Sequence, residues 1–207
     1  AYRGEDDAFN RRQLSLFMTL LDNLAEQGLR FPKVHIANSD AVNNLPWTYK
    51  KPFTHVRVGL NLHGSFESEG NRAVTLESIF TLKTRVVSIR TLPAGMTVGY
   101  GRTYTLKQPT RVGTIAAGYA DGLPLALSNR GYVLVRGKPC PVLGRLSMDY
   151  TTISLENAPE ASRGDEVVCL GRDGDEEITV DAWAQLKGTH AYDIICSFGN
   201  RVSRRYI

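Results

Sequence analysis

The chain has 207 residues with 25 Lys and Arg against 21 Asp and Glu, a formal charge of +4, and 42% apolar residues. This is an ordinary globular composition, long enough for one large or two small domains but not for a complete (β/α)8 barrel of about 250 residues together with a second domain. No run of about 18 apolar residues suggests a membrane helix. The positive charges are scattered apart from Arg201, Arg204 and Arg205, so a nucleic-acid-binding face is not expected.

Residues 8–27 carry apolar side chains at Leu14, Phe17, Met18, Leu21, Leu24 and Ala25, the spacing of one helical face. Asp6 and Asp7 place negative charge at its start, and Gly28 supplies a stop. A short strand is predicted at Lys33–Ala37, then a brief helix capped by Ser39 or Asp40. Pro46 and Pro52 bracket a loop, and alternation of Val56, Val58, Leu60 and Leu62 with polar neighbours predicts a strand over 56–62. This α/β rhythm predicts parallel pairing. The polar stretch from Gly64 to Thr75 reads as a linker, which divides the chain into residues 1–75 and 76–207.

Beyond Leu76 the texture becomes β-rich. Phe80, Leu82, Thr84 and Val86 alternate with Thr81, Lys83 and Arg85, and further strand-like runs cover 111–117, 131–135, 150–155, 166–170 and 178–180. Turn signals at Leu92–Gly95, Asp121-Gly122, Arg136-Gly137 and Asp173–Asp175 separate them, and only Asp181–Lys187 looks helical. A mostly antiparallel barrel or sandwich is expected. Three widely spaced cysteines, Cys140, Cys169 and Cys196, form no C-x-x-C pair. A disulfide framework or zinc site is therefore not expected. With the polar start AYRGEDDAFNRRQ, which has no secretory-leader pattern, they fit a reducing cytoplasm.

Several clusters can carry chemistry. His35 and Ser39 in H-I-A-N-S suit an anion pocket at a helix start, or a partly buried histidine with a capping serine. Arg57 in R-V-G-L sits inside an alternating run beside Gly59, which admits close backbone approach; a solvent-facing edge arginine is the plainer reading. Tyr100 lies between Gly99 and Gly101 in V-G-Y-G-R-T-Y-T. A tyrosine serves as a general acid or base where nearby positive charge favours its phenolate; alternatively this is a turn tyrosine on its own sheet. G-Y-A-D-G and G-R-L-S-M-D hold Tyr119, Asp121, Arg145, Met148 and Asp149, where Asp121-Gly122 reads most simply as a turn and Met148 as core; G-T-H-A-Y-D holds His190 and Tyr192.

In this order, with Tyr100 and Tyr119 19 residues apart, the motifs closely resemble alanine racemase, a pyridoxal-phosphate (PLP) enzyme with an N-terminal barrel and a C-terminal β domain. The resemblance implies that residues 1–75 are the last units of a (β/α)8 barrel plus a linker, and that residues 76–207 are the β domain. It implies racemisation of L-alanine to D-alanine for peptidoglycan precursors. Tyr100 would handle the α-proton of L-alanine in the site of the partner subunit of a head-to-tail homodimer with shared active sites. Arg57 would face the PLP pyridine nitrogen, and His35 would link that arginine to the tyrosine. Ser39 with the backbone of Gly59 and Leu60, completed by Tyr192, would cradle the phosphate. The Met148 backbone would meet the substrate carboxylate. Tyr119, Arg145 and Tyr192 would narrow the access corridor.

The resemblance also has gaps. The lysine that carries PLP, in a motif like V-x-K-A-N-A-Y-G, has no counterpart among Lys33, Lys50, Lys51, Lys83, Lys107, Lys138 and Lys187. The arginine that pairs with the substrate carboxylate is missing as well. A further N-terminal portion of the barrel is therefore expected elsewhere, and this chain alone should be inactive. Without that portion the apolar faces of Val34 and Ile36 and of Val56, Val58 and Leu60 are expected to be exposed. Val58, His63 and Asp40 stand where the family usually has Pro, Tyr and Ala, and His190 replaces an apolar residue of the corridor. His190 leaves open a racemase of another or broader range, acting on serine or lysine, although Tyr192 favours alanine over the serine variant. A non-catalytic β-domain fragment is the alternative of a different class.

Overall fold

The computed structural model describes residues 7–66 and 71–206. Asp6 and the middle of the expected linker, residues 67–70, lie outside the described residues. The chain divides into two compact units, Ala1–Ile79 and Phe80–Ile207.

The first unit opens with helix α1 (Asp7–Glu26), on which the expected apolar face is half-covered. Its other apolar residues Phe9, Leu16 and Leu20 are exposed. The strand expected at Lys33–Ala37 forms no ladder. Instead the Thr54 and Arg57 N–H groups donate to the Val34 and Ala37 carbonyls, both at 2.8 Å. A single parallel bridge joins Asn38 to Arg57. The strand expected over 56–62 is overturned: Leu60–His63 is a 3₁₀ turn that begins after Gly59 and is closed by left-handed Gly64. This turn also buries Leu60 to 1% exposure, against expectation, while Val56 and Val58 stay exposed. Helix α2 (Ser39–Asn44) is capped by Asn38, whose side chain accepts the Ala41 N–H, and not by Ser39 or Asp40. Asn38 alone of the three has the extended backbone that a cap requires. Residues Asn71 and Ala73 donate their N–H groups to the side chains of Asn44 and Asn43, so this part of the expected linker is tied to α2.

The second unit is antiparallel throughout its ladders. Its strands are β1 (Leu82–Leu92), β2 (Thr97–Val98), β3 (Tyr104–Thr105), β4 (Thr110–Ile115), β5 (Tyr132–Val135), β6 (Lys138–Pro141), β7 (Thr151–Ser154), β8 (Glu166–Asp173) and β9 (Glu176–Ile178). The main sheet runs β6-β5-β8-β1-β4-β7, with β9 on β8. Its two ends meet: Val142 bridges Ile153, and the Leu143 N–H donates to the Thr152 carbonyl at 2.8 Å. The sheet thus curls into a barrel, which resolves the choice between barrel and sandwich. Val133, Val135, Ile115, Ile153, Val167 and Cys169 are buried on one face of it, and Leu134 and Val168 are buried on the other.

Arg136 and Gly137 both adopt positive φ and turn β5 into β6. Two prolines hide β6 from an alternation search, but at the seam of the barrel they cost little pairing. Helix α3 (Val180–Lys187) takes Thr179 as its cap and buries Trp183. A fourth helix, α4 (Ala191–Ile195), was not expected from the sequence. The small hairpin β2-β3 is seated on a buried cluster of Val98, Leu106, Val112 and Leu143.

Candidate active site

Two groups of expected residues come together, one in each unit. In the first unit the Arg57 guanidinium lies 2.8 Å from His35 Nδ1. The backbone bond from Arg57 to Ala37 and the bridge to Asn38 hold the two segments in register. A cavity of about 370 Å³ opens beside this pair, lined also by Asn10, Phe17, Asn38 and Trp47. Two residues further on, the Gly59 N–H donates to the buried Ser39 hydroxyl at 2.9 Å. Leu60 starts a 3₁₀ turn, where an N–H has no intrahelical acceptor. Ser39, Gly59 and Leu60 therefore gather a hydroxyl and main-chain donors at one place.

In the second unit Tyr100 opens the turn Tyr100–Arg102 between β2 and β3, and it is 70% exposed. Gly99 before it has φ 80°, and a Cβ there would lie 2.4 Å from the Arg145 nitrogen. This absence of a side chain lets the tyrosine turn press against the Gly144-Arg145 backbone. Asn129 Oδ1 accepts the Gly144 N–H at 2.6 Å, and Ser128 Oγ accepts the Leu146 N–H at 3.1 Å, so the Arg145 loop is held from behind. A cavity of about 280 Å³ results, lined by Gly99, Tyr100, Arg145, Ser147, Tyr150 and Thr152.

The loop after β4 joins the same region. The Tyr119 and Ala120 N–H groups donate to the Ser147 and Met148 carbonyls at 3.1 and 3.0 Å. Gly118 makes this approach possible, since a Cβ there would lie 2.3 Å from the Ser147 oxygen. Met148 and Tyr119 are exposed, so Met148 is not the core residue that its chemistry alone suggested. Asp121 does form a turn: its Oδ2 accepts the Gly118 N–H at 3.0 Å. Tyr192 lies on α4, with its ring edge-on to that of His190 at 6.4 Å. Next to it, the Lys187 ammonium bonds Asp193 and holds that carboxyl below its usual range.

Sequence reasoning missed Tyr150 and Ser147 beside Tyr100. Ser147 lies inside the G-R-L-S-M-D motif and Tyr150 directly follows it, which is their only signal. It also missed Ser128 and Asn129, whose S-N pair in a turn is a common source of backbone acceptors.

A family profile described as "Alanine racemase, C-terminal domain" matches residues 79–206, and "Alanine racemase, N-terminal domain" matches residues 1–66. The chain belongs to the alanine racemase family. The alanine racemase of Thermodesulfovibrio yellowstonii is 40% identical over 206 residues, covering 99% of this chain and 53% of that protein. The crystal structure of alanine racemase from D-cycloserine-producing Streptomyces lavendulae has a TM-score of 0.86 at 37% identity, covering 99% of this chain and 53% of that one. The Bacillus anthracis alanine racemase with bound L-Ala-P has a TM-score of 0.84 at 33% identity, covering 96% of this chain and 51% of that one. The chain spans about half the length of these relatives. Its fold class is that of the family: the end of the (β/α)8 barrel followed by a C-terminal, mostly antiparallel β domain.

Proposed function

We propose that these residues form the C-terminal half of a PLP-dependent racemase that interconverts L- and D-alanine for peptidoglycan precursors. Residues 1–75 would be the end of the cofactor-binding barrel and its linker, and residues 76–207 the β domain. The observation that carries this reading is the Arg57–His35 contact at 2.8 Å, which presents a fixed guanidinium at the edge of a cavity. The group at Ser39, Gly59 and Leu60 fits a phosphate: the Gly59 N–H donates to Ser39 Oγ, which leaves the hydroxyl proton and the Leu60 N–H as the donors such an anion takes.

When bound, PLP supplies an electron sink for the substrate's α-carbon. Arg57 would donate a hydrogen bond to the pyridine nitrogen without giving up its proton, since a guanidinium stays charged, and the ring nitrogen would remain neutral. His35 holds that arginine in place. Tyr100 would take the α-proton of L-alanine on one face and return it there in the reverse direction. The Met148 backbone would orient the substrate carboxylate, while Tyr119, Arg145 and Tyr192 would restrict side-chain size. The opposite face needs the lysine that carries PLP, which we place outside these 207 residues. In the head-to-tail homodimer of this reading, Tyr100 serves the partner subunit's substrate. The free thiols of Cys140, Cys169 and Cys196 suit a cytoplasmic enzyme.

Borohydride reduction of the PLP-loaded full-length protein, followed by peptide mapping, tests the assignment. The adduct is expected on a lysine outside this chain, and an adduct on any lysine within it would sink the proposal. His190 beside Tyr192 supports a second reading, a broader substrate range. Turnover of alanine, serine and lysine decides between them: comparable rates on all three would reject a strict alanine enzyme.

A further inference from the structure

Arg201 lies in the segment that follows α4. Its Nη2 donates to Asp149 Oδ1 at 2.6 Å, and its Nε is 3.3 Å from Asp121 Oδ1. One guanidinium is thus shared by carboxylates from two loops, a task that suits the planar fork of arginine better than the point charge of lysine. Asp121 is the more buried carboxylate, and its other oxygen is already taken by the Gly118 N–H. Asp149 directly follows Met148. The segment carrying Arg201 is itself anchored. Ser197 Oγ lies 3.1 Å from the Gly122 carbonyl and 2.7 Å from that of Ile194, Phe198 packs on Phe80, and Arg204 donates to the Phe198 carbonyl.

A solvent-exposed ion pair contributes little to stability, so the fold as a whole gains little from Arg201. Local geometry gains more. Removing the guanidinium would leave two carboxylates facing the same space, and their repulsion would push the loops Gly118–Gly122 and Ser147–Tyr150 apart. The bonds from Tyr119 and Ala120 to Ser147 and Met148, with the Thr151 hydroxyl on the Ala117 carbonyl at the root of the loops, would then carry the load.

We infer that Arg201 is a positioning residue for the racemase reaction: by clamping Asp121 to Asp149 it fixes the Met148 backbone and the Tyr119 ring relative to each other. This rests on the reading above, in which Met148 and Tyr119 meet the substrate. Arg201 itself touches no reacting atom in this account. Its effect passes through the two aspartates.

The test compares R201M, R201K and R136M in the full-length protein. Arg136 pairs with Asp165 at 2.7 Å in the same unit and serves as a control ion pair away from these loops in sequence. Amide exchange at Tyr119 and Ala120 should accelerate about tenfold or more in R201M, with Val133 and Val167 in the barrel unchanged. The KM for alanine should rise about threefold or more with kcat nearly constant, as expected when a binding contact is displaced. R201K should recover part of both effects, and R136M should show neither. Unchanged exchange at Tyr119 and Ala120 in R201M would overturn the clamp. Equal acceleration throughout the barrel would reduce Arg201 to a stability element and overturn it too. Loosened loops with an unaltered KM would overturn the positioning role. A wild-type protein that does not racemise alanine would overturn the functional reading itself, a failure visible before any variant is made.

Discussion

Arg57 donates to His35 Nδ1 at 2.8 Å, and the chemistry of the two groups fixes which way that bond runs. A guanidinium has only donors, so Nδ1 must be the acceptor and the ring proton must sit on Nε2. His35→Leu removes the acceptor and frees the arginine, whereas His35→Gln keeps an acceptor oxygen. In the full-length protein His35→Leu should lower kcat/KM for alanine by about ten- to hundredfold, the scale of a lost hydrogen bond to a charged group. His35→Gln should lose less. Steady-state kinetics check this; a His35→Leu variant within twofold of wild type would remove the pair from the mechanism.

Gly118 makes a different demand on the same protein. A methyl group there would collide with the Ser147 and Met148 oxygens, which are backbone atoms that cannot rotate away. Gly118→Ala should cost about 1–3 kcal/mol as an overpacked contact. For a protein of this size that corresponds to a fall in Tm of roughly 2–12 °C. Calorimetry or thermal CD measures it. An unchanged Tm would mean that the two loops are not packed as described.

The cysteines give a pH dependence with a definite sign. Burial pushes the Cys140 thiol from its ordinary 9.0 up to about 11 and Cys169 up to about 12, the latter with a smaller contribution from Asp121. Above pH 9 the unfolded chain loses protons that the fold retains, so stability from these groups is full below that pH and is lost as pH rises toward 11 and 12. Chemical unfolding from pH 8 to 11 should show stability falling, and less steeply in a Cys140→Ala/Cys169→Ala variant. At pH 8 iodoacetamide should label only exposed Cys196, because the thiolate is the nucleophile. Labelling of Cys140 or Cys169 in the folded protein would contradict their burial.

Local patterning made much of the β unit legible. Alternation marked β1, and positive φ at Arg136 and Gly137 matches the turn their sequence advertises. What failed was non-local. β6 exists because it meets β5 and the seam beside β7, a tertiary pairing that outweighs the poor strand propensity of Lys-Pro-Cys-Pro. Leu60 and Leu62 alternate as strand residues do, yet Gly59 redirects the chain into a 3₁₀ turn. Asn38, Ser39 and Asp40 are all good caps by chemistry, and only the backbone angles choose Asn38. In the candidate site, His35 and Arg57 are 22 residues apart, and nothing in their spacing alone announces contact. Their pairing came from the family resemblance, whereas Tyr150 and the Arg201 clamp had no comparable signal.

In the proposed reaction Tyr100 works on one face of the substrate α-carbon. That role is tested most directly by Tyr100→Phe in the full-length protein, with exchange of the α-proton followed separately from L-alanine and D-alanine in deuterated water. Loss of a general base costs about 10²- to 10⁴-fold, and that loss should fall on L-alanine while exchange from D-alanine declines far less. Equal loss from both enantiomers would contradict a one-face role for Tyr100.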